Sequence, residues 1–132
     1  MTGILVDTYA WIEIFRDTPF GRRAMECIER NSPPVISVLT LYELQYRLED
    51  LYGKERTGPL LATILAHAEA IPVDMRIAVT AGSIKSLQKK QGNAMGAVDC
   101  MILATARMHG LKIMSGDKHF KGIEECLPEF MT

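Results

Sequence analysis

Short apolar runs alternate along this chain with longer segments of helical periodicity, and this alternation is the feature that most limits the possible folds. The first apolar run, residues 4–6, is followed at once by apolar residues at helical spacing, Trp11, Ile14 and Phe15. An uninterrupted apolar run of this length is typical of a strand that is buried on both faces of a parallel sheet. The chain therefore begins with a strand-then-helix unit.

The same order recurs to the end of the chain, and it predicts four strands and six helices. The strands are expected at residues 4–6, 35–36 (closed by Ser37), 71–73 and 111–114. The helices are expected at residues 8–15, 22–30, 41–52, 60–70, 75–90 and 97–109. Asp74 is a suitable N-cap for the fifth helix, and Gly110 a suitable stop for the sixth.

Alternating strands and helices define the expected fold class. Parallel strands need crossover connections, which are right-handed in nearly all proteins and place helices on both faces of the sheet. We therefore predict an α/β fold with three layers, α/β/α, and a mostly parallel central sheet. The 132 residues, of which 48% are hydrophobic, suffice for one core, so residues 1–132 are expected to form a single domain.

Charge and cysteine content exclude several classes of protein. A formal net charge of −1 gives no overall attraction to nucleic acids or membranes, so a polyanion must be bound locally. Cys27, Cys100 and Cys126 are odd in number and widely spaced, which argues against a disulfide framework or a zinc site. Neither a secretory leader nor an apolar run long enough for a membrane span is recognised, so a cytoplasmic protein is expected.

Four acidic side chains interrupt apolar segments at positions where ligands bind in such folds. Asp7 follows the first strand, Glu43 lies on the helix after the second strand, and Asp117 follows the last strand. Asp99 interrupts an apolar sequence in the first turn of its helix. Because ligands of parallel sheets bind outside the carboxyl ends of the strands, these four carboxylates are expected to meet in one cleft.

Each of these residues also has a purely structural interpretation. Asp7 can cap the helix that begins at Thr8, and Glu43 can close a capping box with Thr40 in the sequence T-L-Y-E. Asp99 can favour the positive end of its helix dipole, and Asp117 can be an ordinary turn residue. Taken singly, none of the four is specific for a function.

The four acids together favour a metal site. Crowded carboxylates raise one another's pKa at a cost in stability, and a divalent cation removes that cost. Hard cations such as Mg²⁺ prefer carboxylate oxygens and leave coordination positions open for phosphate. Metal ions held in this way can promote hydrolysis of a phosphodiester.

Four sequence motifs, in order, resemble those of the PIN-domain ribonucleases, and within them the VapC-like toxins of toxin–antitoxin pairs. The opening strand followed by D-T/S corresponds to ILVDT, and S-x-x-T-x-x-E-L corresponds to SVLTLYEL. The helix start D-x-x-I-x-A-x-A corresponds to DCMILATA, and the turn T/S-x-D-x-x-F to SGDKHF. Tyr9, where many relatives have a small or apolar residue, and Ser115, in place of the commoner Thr, are mild departures that bear on substrate preference.

This resemblance implies a specific activity and specific partners. It implies a PIN-like domain whose catalytic and metal-binding residues are Asp7, Glu43, Asp99 and Asp117. The implied activity is Mg²⁺- or Mn²⁺-dependent endoribonuclease cleavage of RNA. The implied partners are a second copy of the chain, in a homodimer, and a small cognate antitoxin that inhibits the enzyme.

Two other functions fit parts of the pattern. One is a PIN-like module that binds protein or RNA without turnover, against which the complete set of four acids argues. The other is a phosphatase of the haloacid dehalogenase type with Asp7 as nucleophile, but that chemistry requires a second acid at position 9, which is Tyr.

The residues that would contact RNA are not defined by the sequence. Basic side chains beside the acids can bind phosphates, and three aromatic side chains can stack on bases, although Trp11 and at least one tyrosine are expected in the core. His119 is expected to be incidental, because a metal-activated water needs no histidine. The candidates are Arg16, Arg22, Arg23, Lys118, His119, Lys121, Tyr9, Trp11 and Tyr42.

Overall fold

The computed structural model describes residues 3–31 and 33–131. Ser32, which the sequence places at the end of the second helix, lies outside the described residues. Within them, the strands form one sheet in the order β3-β2-β1-β4, and every pairing is parallel. The strands are β1 Ile4–Val6, β2 Val35–Ser37, β3 Glu69–Ile71 and β4 Lys112–Met114.

Six α-helices connect and follow these strands in the described part of the chain. Asp74 accepts a hydrogen bond from the Ile77 N–H at the start of α5, and Gly110 ends α6 with a left-handed φ of 63°, as the sequence predicts. All are too short or too polar to cross a bilayer. The helices are α1 Thr8–Phe15, α2 Pro19–Arg30, α3 Val38–Tyr52, α4 Lys54–His67, α5 Met75–Lys90 and α6 Ala97–His109.

Successive side chains of the central strands enter two different cores. Leu5 packs with α5 and α6 on one face of the sheet, whereas its neighbours Ile4 and Val6 pack with α1 to α4 on the other. This alternation follows from the twofold period of a strand. Both faces of β1 are thus covered, which confirms the predicted three-layer α/β/α fold.

The prediction was wrong at the boundaries of α4 and β3. A helix was expected at residues 60–70 and a strand at 71–73, but α4 begins at Lys54 and β3 covers Glu69–Ile71. Gly58 and Pro59 suggest a break, yet α4 continues through both because it packs along α3. The register of β3 is defined by the pairing of Ile36 with Ala70. The sequence could not predict this register, because two of the three residues of this edge strand are exposed and form no apolar pattern.

The strand order places the functional edge of the sheet. The chain runs outward from β1 to β2 and β3, and then returns to place β4 on the other side of β1. The order therefore reverses between β1 and β4, and ligands of such sheets bind at the carboxyl ends of the strands at this point. Asp7 follows β1 and Asp117 follows β4, the two strands on either side of this reversal.

Candidate active site

Asp7 is held at the end of β1 by contacts with the residues that follow β4. Its N–H donates to the Met114 carbonyl at 3.1 Å, and its carboxylate accepts a hydrogen bond from the Ser115 hydroxyl at 2.9 Å. Ser115 Oγ in turn accepts from the Asp117 N–H at 3.0 Å. Although Asp7 occupies the N-cap position of α1, its side chain makes no capping hydrogen bond. Helix capping therefore does not explain why an acidic residue that is only 4% exposed lies at this position.

Glu43 is oriented toward α1. Its Oε1 accepts a hydrogen bond from the hydroxyl of Thr8 at 2.8 Å, which joins residues 35 apart in the sequence. The capping-box interpretation was wrong, because α3 begins at Val38 and its cap is Ser37, whose hydroxyl accepts from the Leu39 N–H. Thr40 is a fully buried residue inside α3.

Asp99, Asp117 and His119 approach one another from two elements. Asp99 lies in the first turn of α6, and Asp117 caps the 3₁₀ turn Lys118–Phe120 by accepting the His119 N–H at 2.9 Å. His119 Nδ1 lies 3.0 Å from an oxygen of Asp117 and 3.5 Å from an oxygen of Asp99. One possible ligand atom from each of the three residues lies within 4.8 Å of the other two.

The pKa values of two carboxyls are raised by burial and by the neighbouring acids. Burial raises the pKa of Asp7 from 3.8 to about 7; the hydrogen bond from Ser115 opposes this rise, and the charges of Asp99 and Glu43 add to it. Burial also raises the pKa of Asp99, to about 6, with a further increase from Asp117. The charges of Asp99 and Glu43 thus act on Asp7, and those of Asp117 and Glu43 act on Asp99. Of the four predicted acids, Asp99 and Asp117 have ligand atoms that lie, together with one of His119, within 4.8 Å of one another, whereas Asp7 and Glu43 lie outside that group. We call the four predicted acids the acidic cluster.

The donor set of the acidic cluster fits a hard divalent cation. Asp99 and Asp117 offer carboxylate oxygens close enough to share one ion, and burial gives the carboxylates of Asp7 and Asp99 a free-energy cost for being charged that a cation would lower. In the described part of the chain, the salt bridges include no Lys or Arg partner for these four carboxylates. The side chain that lies against two of them, Asp99 and Asp117, is the ring of His119.

Three residues of this region were not predicted from the sequence to contact the acids. Thr8 and Ser115 each orient one acid, and His119, which was expected to be incidental, contacts two. The adjacency of Thr8 to Asp7, and of Ser115 and His119 to Asp117, was the available signal. Hydroxyl and imidazole groups next to predicted ligands commonly orient them.

The candidate RNA contacts fall into separate groups. Trp11 is 5% exposed, as expected, but neither Tyr9 nor Tyr42 is in the core, at 37% and 65% exposed. Arg22 pairs with Asp17 at 3.2 Å on the surface, and Arg23 lies 5.9 Å over the Phe20 ring.

A cavity of about 190 Å³ lies next to the acidic cluster. His119 lines this cavity and also contacts Asp99 and Asp117, so the cavity lies beside these two carboxylates. We call it the lysine pocket, after its two cationic residues. Its lining residues are Gln88, Asn93, Ala94, Met95, Lys118, His119, Lys121 and Ile123.

Comparison with known proteins extends over nearly the whole chain. The family model described as PIN domain matches residues 4–125. The chain is 26% identical over 117 residues to the tRNA(fMet)-specific endonuclease VapC of Shigella flexneri, a match that covers 89% of this chain and 88% of the relative.

Solved structures share the same fold. A toxin–antitoxin complex from Klebsiella pneumoniae contains a chain with a TM-score of 0.73 and 26% identity, over 95% of this chain and 96% of the other. VapBC2 from Rickettsia felis, bound to a DNA fragment from its promoter, gives a TM-score of 0.78 at 21% identity, over 94% and 95% of the two chains. At that lower identity the likeness concerns the fold alone.

Proposed function

Because this chain belongs to the PIN domain family, we propose that it is a metal-dependent endoribonuclease that hydrolyses RNA phosphodiester bonds at the acidic cluster. The observation that supports the proposal is the approach of Asp99 to Asp117 near the point where the strand order reverses, with the charge of Glu43 acting on both Asp7 and Asp99. We take residues 1–132 as one nuclease domain.

The four carboxylates would hold Mg²⁺ or Mn²⁺. The side chains of Asp99 and Asp117 are partly exposed, at 19% and 32%, whereas Asp7 is buried, so these two would present oxygens toward the substrate. Asp7 and Glu43 would add their negative charges to the same site. When bound, the ion would stabilise negative charge on the phosphate oxygens and would lower the pKa of a water molecule that it holds.

Hydrogen bonds within the protein preorganise the acids for this task. Ser115 fixes one oxygen of Asp7, and Thr8 fixes one oxygen of Glu43, so neither side chain must be ordered when substrate binds. The Asp117 N–H holds the Ser115 hydroxyl in place, which couples the orientation of Asp7 to the turn that carries Asp117. The chain itself thus contributes fixed acceptors at defined positions.

The partners follow from the relatives. We propose that the chain is the toxin of a toxin–antitoxin pair, that a small cognate antitoxin inhibits it, and that it forms a homodimer. The toxin–antitoxin complex from Klebsiella pneumoniae and the VapC of Shigella flexneri support the toxin–antitoxin pairing, and the homodimer is implied by the resemblance of the sequence motifs. Its site of action would be the cytoplasm, where its RNA substrate is found.

A cleavage assay tests the proposed activity. The full chain, stripped of metal with a chelator, would be incubated with total RNA with and without Mg²⁺ or Mn²⁺. We expect cleavage only with a divalent ion, and none in Asp99→Asn, because the amide keeps the shape but removes one charge from the acidic cluster. Asp50→Asn makes the same change on the exposed side of α3 and should remain active.

Two outcomes would contradict the proposal. Equal cleavage in chelator and in Mg²⁺ would exclude a metal-dependent reaction. RNA binding without cleavage under every condition would favour the alternative function, a PIN-like module that binds RNA or protein without turnover.

A further inference from the structure

His119 faces two partly exposed acids of the cluster, Asp99 and Asp117, from a fixed position. It lies in the 3₁₀ turn Lys118–Phe120, and its own N–H donates to the Asp117 carboxylate at 2.9 Å. The ring nitrogen Nδ1 then lies 3.0 Å from Asp117 Oδ1 and 3.5 Å from Asp99 Oδ2. One nitrogen therefore meets carboxylates that come from two separate elements.

These separations are those of atoms that share a metal ion. Two ligands at adjacent corners of an octahedral ion, each about 2.1 Å from it, lie about 3 Å apart. The 3.0 Å separation equals this value, and the 3.5 Å separation is close to it. All three donor atoms also lie within 4.8 Å of one another, which is compatible with a single ion.

A hydrogen-bonded ion pair is the competing explanation. A protonated Nδ1 can donate to Asp117 at 3.0 Å, but it has one hydrogen, and 3.5 Å to Asp99 is long for a second bond. An ion pair also gives no preference among divalent ions, whereas a nitrogen ligand does. Metal selectivity therefore separates the two explanations.

We propose that His119 Nδ1 is a ligand, together with Asp99 and Asp117, of the divalent ion at the acidic cluster, and that it makes the site prefer transition-metal ions to Mg²⁺. Mg²⁺ is bound mainly by oxygen, whereas imidazole suits transition metals, and affinity rises from Mn²⁺ through Co²⁺ to Ni²⁺. This assignment rests on the proposed metal-dependent function.

Titration calorimetry on the metal-free full chain tests the selectivity. In His119→Gln, we expect affinity for Ni²⁺ and Co²⁺ to fall by about 10-fold or more, that for Mn²⁺ to fall less, and that for Mg²⁺ to stay the same. His109→Gln removes an exposed histidine from the last turn of α6, ten positions from Asp99, and should change none of these values.

Either of two results would overturn the assignment. An equal change for every ion would show that His119 acts only through its charge, and no change for any ion would show that it does not act on the metal. His119→Asn provides a second test if the unfolding midpoint of His119→Gln in chelator differs from that of the wild type.

Pulsed electron paramagnetic resonance of bound Mn²⁺ gives a readout that needs no RNA. We expect nitrogen coupling in the wild type, a changed pattern when the protein is labelled with ¹⁵N-histidine, and loss of the coupling in His119→Gln. Nitrogen coupling without RNA cleavage by any ion would contradict the proposed function and leave the ligand assignment standing. Cleavage without nitrogen coupling would contradict the ligand assignment and leave the proposed function standing.

Discussion

At the scale of single residues, Glu43 and Thr8 show how a carboxylate can be held without being neutralised. The Thr8 hydroxyl donates to Glu43 Oε1 at 2.8 Å, and the rest of the carboxylate is left for other partners. A neutral amide oxygen at the same place could accept this hydrogen bond equally well. The hydrogen bond and the charge of Glu43 can therefore be separated by one substitution.

Glu43→Gln should be folded but nearly inactive. The hydrogen bond from Thr8 is retained, so the unfolding midpoint in chelator should stay close to that of the wild type. Cleavage should fall by roughly 10²-fold or more, the usual cost of losing a preorganised catalytic group. Single-turnover RNA cleavage and thermal unfolding provide the two measurements.

The control for this substitution is Glu55→Gln, the same change in the exposed first turn of α4. It should be active. A fully active Glu43→Gln protein would remove Glu43 from the catalytic site and leave three acids there.

The raised pKa of Asp7 predicts how the stability of the metal-free protein depends on pH. The native state binds a proton at Asp7 more tightly than the unfolded state, with a pKa of about 7 against 3.8. The contribution of this group to stability is therefore complete below about pH 4 and is lost as the pH rises toward 7.

Chemical denaturation in chelator between pH 5 and pH 8 tests this dependence. We expect the free energy of unfolding of the wild type to fall over this range, and that of Asp7→Asn to fall less, because the amide does not titrate. Parallel curves for the two proteins would show that Asp7 does not carry the effect.

At the scale of elements, α1 and α2 pack so closely that one position admits only glycine. A Cβ on Gly21 would lie 2.1 Å from the carbonyl oxygen of Glu13, which is backbone and cannot move aside as a flexible side chain would. Thr18 caps α2 by accepting the Gly21 N–H, so the same residue marks the turn between the helices.

Gly21→Ala should destabilise the protein by about 1–3 kcal/mol, as other overpacking substitutions do. Gly82→Ala is the matched control, because Gly82 lies on an exposed part of α5 with no atom near the added methyl group. There the substitution should be neutral or stabilising by about 0.5–1 kcal/mol. Urea unfolding of both variants measures the difference, and equal effects would contradict the close approach of α1 and α2.

The elements that could be predicted from the sequence are those with strong local signals. β1 and β2 are continuous apolar runs, and α5 has a cap at Asp74. β3 has two exposed residues of three, so only its pairing with β2 defines it. Reasoning from strand ends predicted Asp7, Glu43 and Asp117 at one edge, and an interrupted apolar pattern added Asp99. The contacts of His119 could not be predicted in this way, because they depend on a 3₁₀ turn that has no apolar period.

At the scale of the whole molecule, a net charge of −1 gives no overall attraction to RNA, so local groups of basic side chains must bind it. The acidic cluster repels phosphate in the absence of metal, so the attraction must come from nearby cations. Lys118 and Lys121 line the lysine pocket beside the cluster, together with the amide side chains of Gln88 and Asn93. We infer that a backbone phosphate of the RNA binds there.

Removing both lysines should weaken RNA binding in a salt-dependent manner. In an Asp99→Asn background, which prevents cleavage, Lys118→Gln with Lys121→Gln should reduce the slope of log affinity against log salt by about 0.7, the contribution of one phosphate contact to a single strand. Lys54→Gln with Lys112→Gln removes the same charge elsewhere, since Lys54 begins α4 and Lys112 begins β4. An equal loss of slope in this control pair would show that the lysine pocket does not bind RNA phosphate specifically.

The hydrogen bond between Ser115 and Asp7 joins residues 108 apart, and this span has a consequence for biosynthesis. While a ribosome is still translating the message, the emerging polypeptide carries Asp7 and Glu43 long before Asp117 has been added. A nascent chain of this sequence therefore lacks the last carboxylate and the hydroxyl that orients the first. If the chain cleaves RNA as we propose, it becomes able to do so only after Asp117 has been added, so copies that stop before that residue would spare the message and the ribosome that produce them.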